Sequence, residues 1–161
     1  MTFGEKVIAV SQTIKDHIIE KYGTQESKII TIHRGFEEEY FHPENISFDR
    51  KQSMLDRWQV NSEKGPVVIM PGRFTRLKGH ELLIHSLDKI RHMSWTAVIV
   101  GDEDENREYA RQLRQVVTEL GLEKRVIFAG HCDDMAAALA ASDLTVCPSV
   151  YPESFGRVAV E

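Results

Sequence analysis

Two carboxylates near the end of this chain are spaced so that they could hold one ligand. Glu153 and Glu161 flank Ser154-Phe155-Gly156 in the stretch Tyr151-Pro-Glu-Ser-Phe-Gly-Arg-Val-Ala-Val-Glu161. The apolar run before it, Leu144-Thr-Val-Cys147, reads as a buried parallel strand punctuated by Pro148 and Ser149. Gly156 then opens a helix, which puts Glu161 about two turns inside it. A helix start at the carboxyl end of a parallel strand offers free backbone N–H groups and about half a positive charge. Sheets of this kind bind phosphorylated ligands there. Phosphates repel carboxylates, so the glutamates suit hydroxyl groups instead. A ligand that carries both phosphate and a polyol is a nucleotide sugar. The same two residues equally serve a helix start and a solvated face, at a gain of only ~0.3–1 kcal/mol.

A second turn has the opposite charge. Val67-Val-Ile-Met70 is another short apolar run and predicts another buried strand. It leads into Pro71-Gly-Arg-Phe-Thr-Arg-Leu-Lys-Gly79, a loop with three cations, and then into a helix over His80–His92. Arg73 presents a planar fork that can take two phosphate oxygens, and Lys78 is a compact point charge. The loop lacks the Gly-x-x-x-x-Gly-Lys-Ser/Thr pattern of a Walker phosphate loop. Three basic residues in one loop can also be plain solvated surface. Two turns of opposite charge, each after a strand of one sheet, are harder to explain that way.

The combination of Pro71-Gly72-Arg73, Lys78-Gly79, Phe128-Ala-Gly130 and Glu153-Ser-Phe-Gly-x4-Glu161 resembles the retaining glycosyltransferases of family 4, also called group 1. The resemblance covers nearly the whole chain. Val7–Ser11 is similar to the segment that crosses from the N-terminal domain in that family. His33-Arg-Gly-Phe36 and Tyr40-Phe-His-Pro43 match a family stretch that begins Asn-Gly, and this chain departs from it with His33-Arg34 ahead of Gly35. The resemblance implies the C-terminal, donor-binding half of a GT-B enzyme, with residues 1–45 containing the interdomain crossover. Family members carry an N-terminal acceptor domain before this segment and further helices after it, so the chain reads as a single excised donor domain over 1–161, inactive by itself.

The resemblance also implies roles. Arg73, Lys78 and Glu153 form the catalytic set, with the two cations on the diphosphate and Glu153 on the donor-sugar hydroxyls. Gly72 and the backbone of Ser154, Phe155 and Gly156 complete the phosphate site. Glu161 holds the ribose diol, and the turn Gly130-His-Cys132 supplies the base-binding edge. The reaction is transfer of a sugar (of the hexosyltransferase class) from a nucleoside-diphosphate sugar with retention at the anomeric carbon. No cofactor and no metal are expected, since Arg73 and Lys78 take the metal's place. The partners are the donor, the missing N-terminal domain, and an acceptor glycan or lipid-linked glycan. A polysaccharide or lipopolysaccharide pathway is the expected setting, in the cytoplasm, with peripheral association at the inner membrane face left open for the full-length protein. A non-catalytic nucleotide-sugar or phosphosugar binding module on the same scaffold predicts the same ligand and stays open. Epimerase and phosphorylase readings lack, respectively, a proton-abstracting pair and a pyridoxal lysine site.

The elements that must position these residues alternate regularly. Strands are expected at Val7–Val10, Lys28–His33, Val67–Met70, Ala97–Val100, Val126–Ala129 and Leu144–Cys147. Helices are expected after Ser11, at Asp49–Gln59, His80–His92, Asn106–Leu120 and Asp133–Ala141. Leu83, Leu87 and Ile90 make one apolar stripe, and Tyr109, Leu113, Val116, Val117 and Leu120 another, with Gly121 ending the second helix. This βα alternation predicts an α/β fold, a Rossmann-like, mostly parallel sheet with helices on both faces. Arg73, Asp102 and Glu153 should then share one sheet edge.

Composition narrows the classes. A chain of 161 residues with 42% hydrophobic content can form one compact core. A net charge of −5 argues against a nucleic-acid partner. No stretch approaches the ~20 apolar residues of a membrane span, and no signal-peptide core is present. The Met1-Thr-Phe3 start says nothing about targeting. Cys132 and Cys147 lack a Cys-x-x-Cys pattern, so neither disulfide nor metal chemistry is indicated. Asp102-Glu-Asp104 looks like an Asp-x-Asp metal motif, but its place suits helix-start charge and loop solvation, with Gly101-Asp102 shaping the rim. His80 and His85 have the wrong spacing for a helical metal pair. Asp133 and Asp134 read as N-cap and first-turn residues.

Overall fold

The computed structural model describes residues 4–161, in two compact units: Glu38–Tyr151, and the residues up to Glu37 together with Pro152–Glu161. Among the described residues of the first unit, β3 (Val67–Pro71), β4 (Thr96–Val100), β5 (Val126–Gly130) and β6 (Leu144–Thr145) form one sheet in the order β5-β4-β3-β6. Every pairing is parallel. Side chains alternate across a strand, so each strand feeds two cores. Val68, Met70, Ala97, Ile99 and Val126 pack on α4 (His80–Lys89) and α5 (Arg107–Glu119) through Leu83, Ile84, Leu87, Tyr109 and Leu113. Val67, Ile69, Val98 and Val100 pack on the other face against α3 (Phe48–Trp58) and α6 (Met135–Ala140). The near-continuous apolar runs at 67–70 and 97–100 are what a sheet covered on both faces requires.

β6 departs from the sequence reading. It is two residues long, pairs only with β3 among the described strands, and leaves Leu144 55% exposed. The Leu144–Cys147 run is therefore not a fully buried strand. It lies at the edge of the described sheet, where one flank lacks a neighbour, and Val146 Nα–H still donates to the Ile69 carbonyl at 2.9 Å.

Local chemistry explains where the helices begin and end. Ser47 caps α3 through Arg50 N–H, and Asn106 caps α5 through Tyr109 N–H, each at 3.3 Å. Leu120 and Gly121 close α5 with a Schellman pair: Leu122 N–H to the Val117 carbonyl at 2.9 Å and Gly121 N–H to Thr118 at 3.0 Å, with Gly121 at φ +66°. Asp134, not Asp133, is the N-cap of α6. Its carboxylate also takes the Arg50 guanidinium at 2.7 and 3.1 Å and the Tyr40 hydroxyl at 3.3 Å, tying α2 (Glu38–Phe41) and α3 to α6. The Arg50 hydrogen bond is the main reason that Asp134 titrates below the usual carboxylate range. Ile90–His92 does not continue α4; it forms a turn held by Arg125, which donates to the Arg91 and Trp95 carbonyls and stacks on the Trp95 ring at 3.6 Å.

The second unit contains β1 (Val7–Ala9), α1 (Gln12–Tyr22) and β2 (Ile29–Thr31), with β1 and β2 parallel. Ser11 caps α1 as expected, through Ile14 N–H at 3.3 Å, and Gly23 ends it at φ +61°. Ala9 and Ile29 are buried, while Ile8, Ile30 and Ile32 are exposed by 62%, 45% and 51%.

Candidate functional site

β3 ends in the loop that carries both cations. Pro71 still pairs with Val100, and Gly72 N–H then donates to the Val100 carbonyl at 2.8 Å, so the loop leaves from the carboxyl edge of the sheet. Asp102 leaves the same edge, because Gly101 follows Val100 and its N–H donates to Gly130 at 3.0 Å. The backbones cross here at very close range. A Cβ on Gly101 would lie 2.2 Å from the Gly72 carbonyl oxygen, which only glycine tolerates.

The loop then folds back over its own start. Thr75 N–H reaches the Arg73 carbonyl at 2.7 Å, and residues Arg76–Lys78 make a 3₁₀ turn ended by Gly79 at φ +77°. The Lys78 methylenes lie over Gly72, at the distance of ordinary contact from where a Cβ would be (3.5–3.8 Å). Lys78 is thus brought back onto Gly72 within the loop that also carries Arg73, with Arg73 exposed and Lys78 half-buried. The third cation has a different job. Arg76 lies over the Tyr109 ring at 5.2 Å and donates to Gln112 at 2.8 Å, bracing the loop against α5.

The segment after β6 is pinned to this loop. Val150 N–H donates to the Leu77 carbonyl at 2.9 Å. A Cβ on Gly79 would meet the Pro148 carbonyl oxygen at 2.1 Å. The strand preceding the acidic segment therefore pairs with the strand preceding the cationic loop, and the two exits are bonded to each other as far as Val150. These contacts run through the Pro148 and Leu77 backbone, and neither residue carries a polar side chain that would advertise them.

Glu153, Ser154, Phe155, Gly156 and Glu161 belong to the other unit. Glu153 is half-buried in an irregular stretch, as expected. The Ser154 carbonyl accepts from the Ser11 hydroxyl at 2.5 Å, and the Phe155 ring lies 6.2 Å from His33. Gly156 sits at φ +77° and opens a single 3₁₀ turn, Arg157–Ala159, not the two helical turns that the sequence suggested. Glu161 follows that turn directly. Its carboxylate is nearly enclosed and paired with Arg157 at 2.5 Å.

The remaining candidates separate cleanly. β5 carries a bulge: Ile99 pairs with Phe128 but Val100 with Gly130, which leaves Ala129 out of register and swings Gly130 (φ +71°) into the Gly130-His-Cys132 turn. The Cys132 thiol packs against the α3–α6 core, and burial pushes its pKa up. In the acidic run, Asp102 accepts from Asp104 N–H at 2.8 Å, Asp104 pairs with Arg107 at 2.8 Å and Glu103 with Arg114 at 2.7 Å. These carboxylates start and brace α5. Among the described residues no three His, Cys, Asp or Glu side chains converge. His85 is half-exposed whereas His80 is fully buried against Phe74 and Tyr109.

Residues 53–161 match the family described as Glycosyl transferases group 1. The chain belongs to that family. It is 32% identical to the mannosylfructose-phosphate synthase of Agrobacterium fabrum over 98% of its own length and 35% of the relative's. Among solved structures it is similar to a glycosyltransferase from Rickettsia africae, with a TM-score of 0.90, 31% identity and coverage of 96% of this chain and 40% of that one. It is also similar to the Anabaena protein HepE in complex with UDP and glucose, with a TM-score of 0.87, 31% identity and coverage of 98% and 41%. The chain spans less than half the length of these proteins. Its α/β architecture, a parallel sheet with helices on both faces, is that of the C-terminal half of a GT-B glycosyltransferase. No helix among the described residues is long and apolar enough to cross a membrane.

Proposed function

We propose that this chain is the donor-binding part of a retaining, metal-independent glycosyltransferase of family 4, which uses a nucleoside-diphosphate sugar. The observation that carries the reading is the loop after β3, which carries Arg73 and Lys78 and leaves from the carboxyl edge of a parallel sheet. Breaking a sugar–phosphate bond puts negative charge on the leaving diphosphate and positive character on the anomeric carbon. Fixed cations where the negative charge grows stabilise the transition state more than the ground state. Arg73 and Lys78 take this role, and the backbone at Gly72 and at Ser154–Gly156 adds N–H donors. Glu153 takes sugar hydroxyls, Glu161 the ribose diol, and the turn at Gly130–Cys132 the base. For Glu161 this means that a ribose exchanges with Arg157 for the carboxylate.

A uridine-diphosphate sugar is the first donor to test, since HepE was solved with UDP-glucose. The acceptor belongs to the part of the protein that this chain does not span. A relative named for lipopolysaccharide core biosynthesis in Rhizobium meliloti, 35% identical over 66% of this chain, makes a cell-surface glycan a reasonable first acceptor class. A cytoplasmic location, with or without peripheral attachment to the membrane, accompanies that proposal. Isothermal titration with a panel of nucleosides, nucleoside diphosphates and their sugars, with and without a chelator, tests the donor reading. Binding that requires the diphosphate and ignores the chelator supports it. Binding abolished by the chelator, or equal for nucleoside and diphosphate, refutes it.

A further inference from the structure

His80 is a buried titratable group that none of the roles above uses. It follows Gly79 as the first residue of α4, and its side chain has no solvent exposure. One ring face stacks on Phe74, with centroids 5.0 Å apart and planes 11° from parallel. Its edge meets Tyr109 at 6.0 Å. Phe74 in turn stacks on Phe128 of β5 at 6.1 Å, and it is the middle residue of the loop between Arg73 and Thr75. The imidazole thus enters from the far end of the cationic loop and forms its inner wall.

Neither ring nitrogen has a hydrogen-bond partner. The backbone of Thr75 and of Gly72 lies within reach of the ring and eases protonation slightly, but falls short of full hydrogen-bond geometry. Burial dominates, with Lys78 opposing the charge further, so the ring is neutral. A neutral imidazole carries one N–H donor and one acceptor nitrogen. Burying both unmatched is unfavourable, and a phenyl ring would keep the Phe74 and Tyr109 contacts without that cost. An unmatched donor inside an aromatic stack, beside the backbone of the very loop that carries Arg73 and Lys78, points to a second arrangement of that loop in which it is matched.

We propose that His80 is a positioning residue for the diphosphate loop, its N–H donating to the Gly72 or Thr75 carbonyl once a bound diphosphate draws Arg73 and Lys78 together. The inference rests on the diphosphate reading of those two cations. His80→Phe keeps the ring stack and removes the donor, whereas His80→Gln keeps a donor and removes the ring. Thermal unfolding and titration with UDP and with inorganic pyrophosphate are measured on the unaltered protein and both variants. His80→Phe should unfold at the same or a higher temperature yet bind UDP at least about fivefold more weakly. His80→Gln should unfold at a lower temperature yet bind UDP better than His80→Phe. UDP affinity unchanged in His80→Phe, or lost only in step with stability, overturns the proposal while leaving the diphosphate reading intact. No binding of UDP or pyrophosphate to the unaltered protein removes both.

Discussion

The methylenes of Lys78 lie over Gly72 at the loop's start, and Gly79 turns the chain left-handed immediately after it. A charged hydrogen bond to phosphate contributes about 1.5–3 kcal/mol. Glu161→Ala should therefore weaken a nucleoside and its diphosphate by the same factor, roughly tenfold or more in titration, because the ribose is common to both. His80 gives a pH signature. Its pKa falls from 6.5 to about 4 in the folded protein because burial penalises the charged form. The unfolded chain thus binds a proton that the folded one refuses between those values. Stability is complete above pH 6.5 and is lost as the pH falls toward 4, by about 3 kcal/mol in all. Denaturant titrations of the unaltered protein and His80→Phe should diverge in that direction: the variant loses less stability between pH 6.5 and 4.5. Parallel pH profiles would contradict a buried neutral imidazole.

At the scale of elements, the close backbone crossing at the sheet's carboxyl edge is the most sensitive point. Gly101→Ala places a methyl group 2.2 Å from the Gly72 oxygen, so one strand end has to move. A destabilisation of about 1–3 kcal/mol, read as a shift of the urea midpoint, is expected from overpacking of this kind. Nucleotide affinity should fall as well, since Gly72 carries the loop. Elements with a strong period were legible in the sequence. The runs at 67–70 and 97–100 and the stripe Tyr109-Leu113-Val117 found their places because a two-sided core demands those patterns. The short ends were not legible. Leu144–Cys147 has the composition of a buried strand but sits at an edge, where composition alone does not distinguish one neighbour from two. The residues after Gly156 have helical propensity yet form one 3₁₀ turn, since propensity cannot offset the cost of a first turn. Arg76 was only one of three cations in the loop, and its stacking on Tyr109 reveals a brace. The contacts that hold the loop in place run through backbone atoms, which no motif encodes.

Across the whole molecule, stability is unevenly spread. In the unit that includes β1 and β2, the buried residues among those described are Ala9, Thr24 and Ile29, against two large clusters around the four-stranded sheet. Local opening follows the amount of buried apolar contact. Amide hydrogen exchange should therefore be at least an order of magnitude faster at Ile8–Ala9 and Ile30 than at Ile69–Met70 and Val98–Ile99. Equal protection in both units would show that they unfold as one. On the proposed reading, function depends first on the unit with the four-stranded sheet, because its loop supplies the two cations. The most direct test is the ratio of UDP to uridine affinity, measured by calorimetry in the presence of a chelator for the unaltered protein, Arg73→Ala and Lys78→Ala. The account predicts a ratio well above one that drops by roughly tenfold or more in either variant, with uridine affinity unchanged. A ratio near one in the unaltered protein, or one that either substitution leaves alone, would contradict it.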